Sequence, residues 1–127
     1  MSLKRILVPI EADIKDFSGL QHALWLADRV PSQIFVLKSE STEIKKNNHD
    51  WLDKALMDLI NTGRRAGLTI SYHITCAQFE EEVINFARNE RIDLLVIGGD
   101  EQNIDRILNK LKDRVSGQVV TVKQKLT

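Results

Sequence analysis

The sequence predicts a doubly wound α/β domain: a five-stranded, mostly parallel sheet of order 3-2-1-4-5 with helices on both faces. Three observations carry this. Runs such as "RILVPI" and "LLVIGG" are continuously apolar and lack the alternation of a half-solvated strand, as strands covered on both faces do. These runs alternate with amphipathic segments of helical period, the pattern of strand–helix–strand units whose crossovers are right-handed. The chain has 127 residues with no repeat and no long linker, so residues 1–127 are read as one domain.

Each element has its own signal. "RILVPI" (Arg5 to Ile10) is the first strand. "FSGLQHALWLADRV" sets Phe17, Leu20, Ala23, Leu24, Ala27 and Val30 at helical spacing, with Asp16 as N-cap and Pro31 as stop. "QIFVLKS" (Gln33 to Ser39), β-branched and aromatic at its centre, is the second strand. After the polar "ESTEIKKNN", Trp51, Leu52, Ala55, Leu56, Leu59 and Ile60 share one side of a second helix, which Gly67 ends. "LTISYHIT" is the third strand. The third helix, "FEEEVINFARNE", places three glutamates in its first turn, where the helix dipole favours negative charge. "IDLLVIGG", "NIDRILNKLKDRV" and "QVVTVKQ" complete the chain as strand, helix and strand, with Ser116-Gly117 as the break before the last.

Eighteen Lys+Arg balance eighteen Asp+Glu, so no bulk field recruits nucleic acid or an anionic membrane. The apolar runs are far short of a membrane span, and the run after Lys4 and Arg5 is too short for a signal peptide. A single cysteine, Cys76, excludes an internal disulfide framework and fits a reducing compartment. A cytoplasmic protein without membrane insertion is expected.

In an open parallel sheet, ligands bind beyond the carboxyl ends of the strands, where strand order reverses. The candidate positions are Pro9 to Asp13 at the end of the first strand, Lys38 to Glu40 at that of the second, Cys76 to Gln78 at that of the third and Gly98 to Glu101 at that of the fourth, with Pro9, Ile10, Glu11, Lys38, Gly98 and Gly99 as the expected cofactor-binding residues. No Gly-x-x-x-x-Gly-Lys-Ser/Thr run exists, and Gly-x-Gly-x-x-Gly is absent after the first strand. A phosphorelay receiver would need an aspartate at the end of the third strand, where the sequence reads "HITCAQ".

The order "RILVPI", Glu11, "SGLQHALWLA" and then "FEEEVINFARNERIDLLVIGG" is similar to the universal stress protein family. That family's first strand reads roughly I-L-V-P-V-D before an A-L-x-x-A-x-x-L-A helix, and its fourth reads D-L-I-V-M-G after an E-E-I-x-x-x-A helix. The resemblance covers nearly the whole chain and implies a Rossmann-like sheet of the adenine-nucleotide alpha hydrolase kind. Members that bind ATP carry Gly-x2-Gly-x9-Gly-Ser/Thr after the fourth strand. Laid on this sequence, Gly98 matches the first glycine, Glu101 stands at the second, and Leu111-Lys112 stand at the final pair. Sliding a gap brings Asp105-Arg106 to that pair and restores nothing. The segment is several residues short, and Asp100, Glu101 and Asp105 face where a polyanion would lie. The resemblance therefore implies a regulatory or stress-response module that does not bind ATP, without a cofactor, although an adenine nucleotide stays possible. The alternatives are a member retaining adenosine or a monophosphate, and the cytosolic part of a larger transporter or sensor. A nucleotidyl-transferring enzyme lacks its His-x-Gly-His-like segment here.

Other features have plain readings. Gly98 and Gly99 provide the turn from strand to helix, because glycine tolerates positive φ. Glu11 stands where the family's aspartate would contact base and ribose. Glu80 to Glu82 are read as solvated, Cys76 as a packed small side chain, Trp25 and Trp51 as core or helix-packing residues, and His22, His49 and His73 as structural. Asp13, Asp16 and Glu11 lack the further ligands of a metal site. No catalytic constellation emerges. The last strand, Gln118 to Gln124, is an uninterrupted apolar edge with Val119, Val120 and Val122, and its only charges, Lys123 and Lys125, lie at its end. It predicts a homodimer by edge pairing, which the resemblance also implies, with any further protein partner unknown.

Overall fold

The computed structural model describes residues 3–12, 17–40, 50–76, 78–111 and 113–123. The elements run β1 (Lys4–Ile10), α1 (Ser18–Ala27), β2 (Ser32–Ser39), α2 (Asp50–Arg65), β3 (Thr69–Thr75), α3 (Phe79–Asn89), β4 (Leu94–Gly99), α4 (Glu101–Leu111) and β5 (Gln118–Lys123). The sheet order is β3-β2-β1-β4-β5, and every pairing is parallel. The chain thus winds outward from β1 to one edge, returns to β4 beside β1, and ends at the other edge.

Alternation along the strands divides the core. Ile6, Val8 and Ile10 of β1 join Leu20 and Ala23 of α1 and Leu56 and Ile60 of α2 in one buried cluster. Leu7 of β1 joins Val83 and Ile84 of α3 and Ile104 and Ile107 of α4 in the other. Both faces of β1 and β4 are covered, which is why these strands read as continuous apolar runs.

Local chemistry sets the element ends. Gly67 takes φ 94°, while its N–H bonds Arg64 O at 3.0 Å and the Leu68 N–H bonds Gly63 O at 3.0 Å. This paired closure is a Schellman motif, and it stops α2 where the sequence places the stop. Arg64 then folds forward, its Nε and Nη2 donating to Ile70 O at 3.0 and 2.9 Å on β3. The N-cap position of α1 is Phe17, with no side-chain cap bond; the expected cap, Asp16, lies outside the described residues, as do Asp13, His49, Lys112, Gln124 and Lys125.

Two packing expectations are corrected. Trp25 and Trp51 are exposed, Trp51 by 66%. Each lies beside the apolar stripe of its helix, and Trp25 is covered by the guanidinium of Arg29, just past the end of α1, 4.1 Å from its ring centroid. Cys76 is also exposed, because it follows the last residue of β3 at the sheet edge.

Candidate functional site

The reversal of strand order lies between β1 and β4, so a crevice opens where their carboxyl ends diverge. Pro9 and Ile10 end β1 as buried residues, and Glu11 follows at the rim. Gly98 and Gly99 end β4, also buried.

The glycine pair divides its work. Gly99 has φ 139°, a conformation open to glycine, and it makes the turn into α4. Gly98 does not have positive φ; it is needed for space. A Cβ built there would lie 2.3 Å from Gly19 N, 2.6 Å from Ser18 Oγ and 2.8 Å from Gly19 Cα. The reciprocal Cβ on Gly19 would meet Gly98 N at 3.0 Å. Helix α1 therefore rests directly on the end of β4, backbone to backbone.

One residue, Asp100, separates β4 from α4. It accepts the Asn103 backbone N–H at 2.9 Å and the Asn103 side-chain amide at 3.3 Å. A carboxylate in this capping position satisfies a free donor of the helix and complements its dipole, the two properties by which a helix N-terminus holds an anion. Glu101 is engaged as well, with Lys123 Nζ 3.3 Å from its Oε1.

Across the crevice mouth, Arg106 on α4 reaches two carboxylates. Its Nη1 donates to Glu80 Oε1 at 2.8 Å, and its Nη2 donates to Glu11 Oε1. The Glu11 and Glu80 side chains are 16% and 10% exposed, against 41% for Arg106. The cation thus closes over two recessed anions, the three side chains coming from α4, α3 and the end of β1. This corrects the solvated reading of Glu80: it is buried and paired, and its partner lies on another helix. Arg106 was not singled out by sequence as a site residue. The only signal was its place at the slid end of the phosphate motif, next to Asp105.

Lys38 goes elsewhere. It is buried at the end of β2, opposite Ile10 in register, and its Nζ lies 3.5 Å from Asp53 Oδ1 on α2. Tyr72 on β3 shares that neighbourhood: burial, then the negative charges of Asp53 and Glu40, push its phenol up to about 12. The candidate residues therefore split into a crevice group of Glu11, Gly98 and Gly99 and a Lys38–Asp53 pair under α2. Among the described residues no cluster of three or more His, Cys, Asp or Glu could hold a metal ion. No helix among them is long and apolar enough to cross a membrane.

An open parallel sheet with a switch-point crevice defines a Rossmann-like domain, and its fold is that of the universal stress proteins. The structure is similar to a universal stress protein from Archaeoglobus fulgidus in complex with dAMP, at TM-score 0.67 and 17% identity over 97% of this chain and 100% of that one. It is similar to a universal stress protein family protein from Arabidopsis thaliana with AMP bound, at TM-score 0.64 and 15% identity over 96% and 92%. A universal stress protein in complex with cAMP matches at TM-score 0.67 and 16% identity over 98% and 100%. No family model matches the sequence, and no curated protein matches it.

Proposed function

We propose that the chain is a universal-stress-protein-like regulatory module whose crevice does not take ATP. The observation that carries this reading is the single residue between β4 and α4. A triphosphate grip needs a loop of small residues whose amides close around the phosphates, and here Asp100 alone makes the connection while its carboxylate takes the Asn103 backbone N–H in the first turn of α4. A polyanion entering would meet Asp100 and Glu101 at close range; like charges about 4 Å apart repel by about 1 to 4 kcal/mol each between bulk water and a protein surface. The module works through protein contacts in the cytoplasm and is not an enzyme on this reading.

A second reading is supported by the dAMP, AMP and cAMP held by proteins of the same fold. In it the crevice keeps adenosine or a monophosphate between Pro9, Ile10, Glu11 and Gly98. Calorimetric titration of ATP, ADP, AMP and adenosine into the protein decides. The first reading expects no saturable heat with ATP, and micromolar ATP binding overturns it; binding of adenosine or AMP alone selects the second. Service as the cytosolic part of a transporter or sensor is compatible with either.

The partner surface proposed is β5. It is an edge strand bonded only to β4 among the described residues, and Val119 on it is exposed. Such an edge is a template for a second copy on a two-fold axis.

A further inference from the structure

Arg106 is held in a way that a structural staple alone does not require. A guanidinium offers paired N–H groups that fit two oxygens of one phosphate or carboxylate. Here the two terminal nitrogens are satisfied by two separate acids, Glu11 from the end of β1 and Glu80 from the first turn of α3. Beside them Asp100 satisfies the first turn of α4. Three carboxylates from three segments therefore stand at donors on one helix, and one of them, Glu11, directly follows β1 at the reversal point of the sheet.

The acids are recessed and the guanidinium is the more open partner, so solvent reaches Arg106 without the protein unfolding. The charge balance of the trio is one cation against two anions. An entering phosphate must displace a carboxylate from Arg106 and bring its own negative charge beside it, so the closed state disfavours small anions while both acids are charged.

We propose that Arg106 is the anion ligand of this crevice, specific for a phosphomonoester, and that Glu11 and Glu80 hold it self-liganded by standing in for the phosphate oxygens. This rests on reading the crevice as a nucleotide site. It goes further in naming the residue that would grip the phosphate and the two that keep it occupied.

The test is the double variant Glu11→Gln, Glu80→Gln, which keeps size and hydrogen bonding but removes both negative charges. Calorimetry with AMP, adenosine and inorganic phosphate should show AMP binding at least tenfold tighter than in the unaltered protein and at least tenfold tighter than adenosine. Inorganic phosphate binding as tightly as AMP would show that the ester is not read and overturn the phosphomonoester assignment. Adding Arg106→Gln should abolish the gain. Failure of the double variant to gain AMP binding, or a gain that survives Arg106→Gln, overturns the proposal. Should the double variant not fold, as judged by its unfolding midpoint, Glu80→Gln alone carries the same comparison, with an expected preference of AMP over adenosine of at least threefold. ATP binding by the unaltered protein would overturn the functional reading instead, and leaves these variant comparisons to decide the role of Arg106 separately.

Discussion

Replacing Gly98 with alanine tests whether this glycine serves packing or turn geometry. Its φ is not positive, so an alanine there meets no backbone penalty of its own. The cost is steric. The new carbon would lie 2.3 Å from Gly19 N and 2.8 Å from Gly19 Cα, where ordinary carbon contacts lie at about 3.5 to 4.0 Å. Because the obstruction is backbone, α1 must retreat by about 1 Å to restore those contacts, lifting Leu20 and Ala23 off the sheet. Overpacking of a tight core costs about 1 to 3 kcal/mol, and the backbone obstruction places Gly98→Ala at about 3 kcal/mol. For a domain of this length that is a fall in Tm of about 12 °C. Gly67→Ala is the control: φ is 94° and nothing lies within 4 Å of the added carbon, so only conformational strain of about 1 to 2 kcal/mol remains. Urea unfolding followed by far-ultraviolet circular dichroism, with matching m values, gives both numbers. A loss below about 1 kcal/mol for Gly98→Ala would refute the packing argument.

Asp100→Ala should cost about 1 kcal/mol through loss of the α4 cap, with Asp100→Ser restoring most of it in the same unfolding assay. The protein has one tyrosine, so an absorbance titration of the phenolate band reads Tyr72 directly, and its midpoint should fall near 12. Since this value is raised above the unfolded 10.0, the unfolded chain gives up its phenolic proton first, and stability falls as pH rises from about 10 to 12. Val119→Glu should convert the proposed β5 dimer to monomer in light scattering at a stability cost within about 0.5 kcal/mol, because the side chain is exposed and like charges would meet across the pairing axis. A dimer that persists, or an unaltered protein that is monomeric at high concentration, excludes the β5 interface.

How much was legible in the sequence follows from the range of each interaction. Strands β1, β2 and β4 read correctly because burial on both faces writes continuous apolar runs, the edge strands β3 and β5 because β-branched residues mark them, and the helices because packing on one side writes a 3.6-residue stripe. Gly67 was legible for the same reason: its helix stop is closed by residues within five positions. Asp100 was noticed as an acid opposing phosphate, yet its capping role was also written locally, in the Asp-x-x-Asn spacing before an amphipathic run. The burial of Glu80 was not legible, since three consecutive glutamates look solvated and the Arg106 that pairs with one of them is 26 residues away. Nor was the Gly98–Gly19 contact, which exists only once α1 crosses β4. The tryptophans misled because a large apolar residue beside a helical stripe reads as part of it.

The central claim is that the crevice donors are already taken by the protein's own carboxylates. The most direct measurement follows the Asn103 amide and the Arg106 side-chain N–H resonances by nuclear magnetic resonance while ATP is added to the unaltered protein. Both sites hold their hydrogen bonds to Asp100, Glu11 and Glu80 on this account, so neither resonance should move saturably up to millimolar ATP. A saturable shift of both at micromolar ATP would mean that the phosphates displace those acids, and would contradict it.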